Sequence, residues 1–362
     1  MKSQGLLVKV IAIIYLAIIM AMIPYYAKTA PVPVSATTTP TYKPFEITIH
    51  TLAAGTTAYI MGVGLSQIIN KRSTWLKAKA IEPAGIPIKH IARMKPEERA
   101  HHLFFLPTEY HFDMLNHRGA FADMKDFDFS IFRQVLLCSY VGMGFCTTNS
   151  KIKSIADLKG KRIANSEPPK TGAMPYFFDR LLARYGITPE NSRIEYMNFA
   201  AIANALRDGL IDAGRFGTTL MELPNKHVPT VYTLELIKTR DTYFLQIPKE
   251  DVLALRKEIG IRYEPFLIPA KMLGPKQTED LWLVGKYTGW GAALDVPDHV
   301  ITEVLRCVYE GYAEFGTLLP QGKIITPQTL ATFDQPEERI HPAAVKFFKE
   351  KGIPITGFGV AK

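Results

Sequence analysis

Apolar and polar positions alternate over residues 45–51, with Phe45, Ile47 and Ile49 on one side and Glu46, Thr48 and His50 on the other. That period of two predicts a strand. A small, hydroxyl-rich loop follows at 52–59, after which Ile60, Val63, Gly64, Gln67 and Ile68 recur at helical spacing. Residues 75–82 predict a second strand, turned by Pro83, Ala84 and Gly85, and residues 86–93 a short helix broken before Pro96. Leu103 to Leu106 are uninterruptedly apolar, as in a buried strand. Strands are expected again at 133–140 and 144–147, with Ser139, Tyr140, Gly142 and Gly144 forming a flexible crossing.

From 150 to 216 the pattern is strand, helix, strand, helix, strand, the alternation that builds a parallel sheet covered by helices. Phe177, Leu181 and Tyr185 mark one helix, Ile202, Ala205, Leu206 and Gly209 another, and residues 211–216 the strand after it. Further strands are expected at 230–235 and 243–247, flanking a return crossing at 238–241. A helix follows at 249–259 and strands at 281–294. Pro297 then opens a helix with Val300, Val304, Val308 and Tyr312 in step, before final helices at 326–333 and 342–351. The fold class is therefore α/β, in two lobes: residues 45–137 with 245–362, and residues 138–244, joined by two or more crossing strands.

In open α/β sheets ligands sit where strands end. Three loops and one strand terminus meet that condition: Gly55, Thr56, Thr57 and Tyr59 after the first strand; Thr108, Glu109 and Tyr110 after 103–106; Lys170, Thr171 and Gly172 before the helix at Phe177; and Arg215. The third loop leaves free N–H groups at a helix start, which favour an anion. Arg215 suits a bidentate grip on a carboxylate, a contact worth roughly 1.5–3 kcal/mol; the competing reading pairs it with a surface Asp or Glu. A Thr in the first loop serves equally as a plain helix cap.

Other chemistry is thinly represented. His101, His102, Glu109 and His111 match no metal-binding spacing, and read as surface histidines flanking a strand. No nucleophile elbow, phosphate loop or dinucleotide fingerprint occurs, so neither catalysis nor a cofactor is expected. Cys138, Cys146 and Cys307 read as small buried hydrophobes, with a Cys138–Cys146 pair as the alternative.

At 362 residues, 47% of them hydrophobic and 21% charged, the chain is long enough for two domains. Lys2 and Lys9 precede an uncharged run from Val10 to Ile23, so residues 1–30 read as a secretory signal or an uncleaved membrane anchor. Residues 31–44, rich in Pro, Thr and Val, read as a semi-extended spacer. Either reading places the folded part outside the cytoplasm, in the periplasm or its equivalent. The net charge of +9 is spread without clustering or interleaved aromatics, which excludes a nucleic-acid groove and suits an anionic ligand.

The segments "IADLKGKRIA" and "LRDGLIDAGRF", with "HPAAVKFFKEKGI" near the C-terminus and the Ile268-Pro269-Ala270 turn, resemble TAXI-type substrate-binding proteins of tripartite ATP-independent periplasmic (TRAP) transporters. The resemblance runs from about residue 45 onward and implies a two-lobed type II periplasmic binding-protein fold. It further implies a monomeric receptor that closes on a glutamate-like amino acid or dicarboxylate and delivers it to a TRAP membrane subunit. In that family the first loop is richer in glycine and carries paired tyrosines, places held here by Gly55 and Tyr59. An acidic side chain at Glu109 suits a ligand amine. Two rival readings are a membrane-tethered ligand sensor and an enzyme on the same bilobal fold, of the kind that forms the thiamine pyrimidine.

Overall fold

The computed structural model describes residues 42–357, apart from 55, 84, 167–171 and 224. The expected signal or anchor, most of the spacer, and Gly55, Lys170 and Thr171 lie outside the described residues. Among the described residues no helix is long and apolar enough to cross a membrane.

Among the described residues eleven strands form one sheet: β1 (Phe45–His50), β2 (Leu76–Ile81), β3 (His102–Pro107), β4 (Phe132–Thr147), β5 (Arg162–Ser166), β6 (Arg193–Met197), β7 (Ala213–Glu222), β8 (Lys226–Pro229), β9 (Tyr243–Leu245), β10 (Glu264–Ile268) and β11 (Leu281–Ala293). Helices of eight or more residues are α1 (Thr57–Arg72), α2 (Thr108–Leu115), α3 (Ala173–Arg184), α4 (Phe199–Arg207), α5 (Val231–Thr239), α6 (Lys249–Ile259), α7 (Asp298–Gly311) and α8 (Pro342–Glu350). The main strand order is β2-β1-β3-β11-β4-β7-β5-β6. β1 lies parallel between β2 and β3, and β5 parallel between β6 and β7. Two parallel triplets thus flank one antiparallel pair, the mixed α/β architecture expected from the alternation of patterns.

The two central strands serve both triplets because they are long. β4 pairs with β11 along residues 132–143 and with β7 along 141–146, while β11 pairs with β3 at its far end. They run from one triplet to the other.

Several expectations change here. The two strands expected at 133–140 and 144–147 are one, and the glycines between them are packing sites, not flexible points. A Cβ on Gly142 would lie 2.4 Å from the Phe266 ring, and one on Gly144 2.5 Å from Leu283 Cδ2. We expect Gly142→Ala to lower stability by about 1–3 kcal/mol, the usual cost of overpacking, read as a reduced denaturation midpoint at unchanged m-value.

Residues 230–235 are not a strand. Thr233 and Leu236 are the buried positions, three apart, and the Thr230 carbonyl accepts from the Leu234 N–H at 2.8 Å. Burial on one helical face overrides local strand propensity. The chain also does not return to the first triplet at 238–241. β9 pairs with the end of β4, and α6 packs on α3 through Arg180–Glu258, Arg184–Asp251 and the Tyr185–Asp251 hydrogen bond. The return is made by β11. The strand expected to end at 216 continues to Glu222, and 326–333 holds only a four-residue helix, Pro327–Leu330.

The three cysteines are buried and free. Buried apolar side chains form three clusters. The largest includes Ile47, Leu65, Leu103, Trp290 and Val304; the second joins α3 to α6 through Phe177, Phe178, Leu181, Val252 and Tyr263; the third lies under α2 with Phe104, Phe121 and Phe132.

Candidate functional site

α2 begins directly off the end of β3, so residues four apart on it project from one face. Glu109 and Asp113 share such a face, and both are buried. α3 begins past the end of β5, in the other triplet. Its cap residue, Gly172, has no side chain to satisfy the first turn, and the Ala173 N–H donates instead to Asp113 Oδ2 at 2.9 Å. A carboxylate from the first triplet therefore occupies the helix start of the second. Burial, reinforced by the Glu109 charge, pushes the Asp113 carboxyl up to about 7, against the opposing pull of the Ala173 N–H and Arg118. Beside this contact the Arg118 guanidinium lies 4.6 Å from the Tyr176 ring.

Glu109 forms an ion pair with Lys286 of β11, both side chains being about nine-tenths buried. Its Oε2 has no hydrogen-bond partner among the described residues.

Arg215 projects from β7 opposite Phe145, close to Asn165 near the end of β5. The guanidinium stacks on Phe178 with Cζ 3.2 Å from the ring centroid; Nη1 donates to Asn165 Oδ1 at 3.1 Å and Nη2 to Met143 Sδ at 3.4 Å. Nε is buried without a partner among the described residues. Burial lowers its pKa to about 9, while Tyr263, Asp179 and Glu109 act in the opposite direction. The Tyr263 hydroxyl is likewise buried and unpartnered. Burial holds Tyr263 neutral, and the Glu109 and Asp113 carboxylates reinforce this while Arg215 opposes it.

The mutual electrostatics of Glu109, Asp113, Arg215 and Tyr263 make them one cluster, drawn from both triplets. It contains an orphan acceptor (Glu109 Oε2), an orphan donor (Arg215 Nε) and a hydroxyl able to do either. Each buried unpaired group costs about 1–3 kcal/mol. Three such groups call for an explanation, and a bound group or ordered water that supplies the partners is one.

The sequence-predicted residues divide accordingly. Glu109 and Arg215 come together in the cluster, and Gly172 lies at its edge, where an added Cβ would stand 3.9 Å from Asp113 Oδ2. Arg215 is not at the end of its strand, and it meets an aromatic face rather than a surface acid. Thr108 is satisfied within the scaffold, accepting from the Tyr287 N–H at 3.0 Å and donating to the Tyr287 carbonyl at 3.2 Å. Tyr110 turns the other way and packs edge-on against Phe121, because it is one residue round the helix from Glu109. Thr56 caps α1, accepting from the Tyr59 N–H at 3.2 Å; Thr57 and Tyr59 are half-buried in that first turn.

Sequence reasoning missed Asp113, Lys286 and Tyr263. The i, i+4 relation of Asp113 to Glu109 was a usable signal; Lys286 and Tyr263 had none. No group of metal-ligating side chains is found among the described residues. Nor are the histidines all superficial: His111 is fully buried, and His50 Nε2 lies 2.8 Å from His102 Nδ1.

Comparison with known proteins adds the following. Solved structures similar to this chain include a TctC solute-binding protein from Polaromonas (14% identity, covering 75% of this chain and 85% of that one, TM-score 0.46). MatC from Rhodopseudomonas palustris with bound malate is similar at 14% identity (86% and 97% covered, TM-score 0.48), and the periplasmic binding protein BugD at 13% (87% and 99%, TM-score 0.47). No curated protein sequence matches the chain. All three TM-scores fall below 0.5, so family assignment rests on the sequence, residues 49–352 of which match the model of the NMT1-like family: the chain belongs to the NMT1-like family.

Proposed function

We propose that this protein is an extracytoplasmic solute receptor that closes its two lobes around a small organic anion, and that a glutamate-like amino acid is its ligand. One observation carries the reading: an acceptor beside the first triplet, Glu109 Oε2, and a donor on the second, Arg215 Nε, are both buried without a partner among the described residues, and each lies within the electrostatic reach of the other. The ligand carboxylate would take the Arg215 Nε–H, and its ammonium the free oxygen of Glu109. A dicarboxylate would satisfy only the first of these. No step in this reading breaks or makes a covalent bond.

Closure by such a ligand is energetically reasonable. Moving a hinge from 1:99 to 99:1 requires roughly 5.5 kcal/mol of differential contact. Two charge-assisted hydrogen bonds at about 1.5–3 kcal/mol each approach that sum. The TAXI-like segments and the apolar N-terminal run support delivery of the closed complex to a TRAP membrane subunit.

A thermal-shift screen of amino acids, dicarboxylates and keto acids is expected to give its largest response with an acidic amino acid. Arg215→Lys, which keeps a charge but loses the Nε–H, is expected to weaken that ligand at least tenfold by calorimetry. Unchanged affinity in this variant would remove Arg215 from the site.

A further inference from the structure

Arg215 is 2% exposed, yet among the described residues its guanidinium hydrogen-bonds only to uncharged groups, Asn165 Oδ1 and Met143 Sδ. A buried cation ordinarily sits against a carboxylate. Here the carboxylate, Asp179 of α3, stands one residue back. Asn165 Nδ2 donates to Asp179 Oδ1 at 2.8 Å, and Tyr196 of β6 donates to Asp179 Oδ2 at 2.8 Å. One hydrogen-bonded chain therefore runs from half-buried Tyr196 through Asp179 and Asn165 to Arg215, across β6, α3, β5 and β7.

Asn165 is fully buried, and every hydrogen bond its amide can make is made. Oδ1 accepts from Arg215 Nη1 at 3.1 Å and from the Ser166 N–H at 2.8 Å, while Nδ2 donates to the Pro175 carbonyl at 3.1 Å as well as to Asp179. Two donors face its oxygen and two acceptors its nitrogen, so the amide has a single orientation. In that orientation it polarises toward Arg215 under the Asp179 charge without bringing a carboxylate into contact. Burial pushes the Asp179 carboxyl up, and the Tyr196 hydroxyl, the Asn165 amide and the Arg215 charge act to keep it ionised.

The consequence falls on Arg215. Phe178 covers one face of the guanidinium, Asn165 holds Nη1, and the Nε–H is left unpartnered among the described residues. An aspartate at 165 would fill the same space and pair with Arg215 directly, leaving little attraction for an outside anion.

We propose that Asn165 is a positioning residue that keeps Arg215 charged, oriented and free of an internal counter-ion, with Asp179 as the carboxylate held back behind it. The choice of amide over acid at 165 is then what reserves Arg215 for a ligand. The proposal rests on the reading of Arg215 as the group that receives a ligand carboxylate, and adds residues that act through it.

The test transposes the charge. The double variant Asn165→Asp, Asp179→Asn keeps net charge and side-chain volume but brings the carboxylate into contact with Arg215; Asp179→Asn alone removes it. Both are compared with the wild-type full chain, labelled at arginine. Solvent exchange of the Arg215 Nε–H is read by nuclear magnetic resonance without ligand, and then its shift in sodium acetate against sodium chloride at matched ionic strength. Acetate is a bare carboxylate, so the result does not depend on which amino acid binds. The double variant is expected to keep its native circular dichroism, to slow Nε–H exchange at least tenfold, and to need at least tenfold more acetate than the wild type, the loss of one charge-assisted hydrogen bond. Asp179→Asn is expected to exchange faster and to take acetate at least as tightly as the wild type. A merely structural network would lower the thermal midpoint of both variants without moving exchange in opposite directions. The proposal is overturned if the double variant takes acetate as well as the wild type, or if Asp179→Asn, read alone, exchanges no faster than the wild type. Exchange altered as expected with no acetate response in the wild type would uphold the positioning chain and overturn instead the reading of Arg215 as the ligand's donor.

Discussion

Glu109→Gln is expected to destabilise the protein by about 3–5 kcal/mol, because it leaves the Lys286 ammonium buried without its counter-charge. The double variant Glu109→Gln, Lys286→Met is expected to recover most of that loss, since removing both charges is often neutral. Ligand binding should not recover with it. If Glu109 holds the ligand ammonium, both variants lose affinity for an amino acid by 100-fold or more. A double variant that is stable and binds normally would show that the pair is scaffold alone. Urea unfolding and calorimetry on the three proteins separate the two roles.

The second large effect is a pH dependence of closure. Asp113 is buried against the Ala173 N–H only when the α2 and α3 helix starts meet, and there its carboxyl is pushed up to about 7 from an ordinary 3.8. A carboxyl whose pKa is raised by closing takes up a proton as it closes. Its contribution to the closed form is therefore full below about pH 4 and declines as pH rises through 7. The full range is on the order of 2–4 kcal/mol, allowing for residual solvent screening. Small-angle scattering between pH 5 and 8.5 should show a molecule that becomes more open at the alkaline end. Asp113→Asn, isosteric and uncharged, should flatten that profile. A scattering profile independent of pH in the wild type, or one with the same slope in the asparagine variant, would mean that Asp113 does not govern closure.

Much of this arrangement was legible in the sequence, for a physical reason. The segment 150–216 carries strong periodicity because its helices and strands each bury one defined face, and β5, α3, β6 and α4 lie where the pattern put them. The strand-end argument brought out Glu109 and Arg215, two members of the cluster. It failed for Thr108 and Tyr110, since the chain turns helical at once after Pro107 and successive residues then point about 100° apart. It could not reach Tyr263, which stands outside any regular element between α6 and β10, or Lys286, one polar residue in an apolar strand. The ion pair that gives Lys286 its role reaches back 177 residues to Glu109, and Tyr263 packs on Phe177 of α3. The misread helix at Val231–Thr239 has the same origin: the local residues prefer a strand, and only the partners of Thr233 and Leu236 decide otherwise.

The central claim is that Arg215 and Glu109, brought together from the two halves of the sheet, receive a ligand that is both acid and amine. It is tested most directly by nuclear magnetic resonance of the Arg215 Nε–H in protein labelled at arginine, during titration with the best amino-acid ligand. The account expects that one resonance to shift with saturation and to exchange more slowly with solvent, and to remain still when a ligand analogue lacking the carboxylate is added. A saturating ligand that leaves the Arg215 signal unmoved would contradict it.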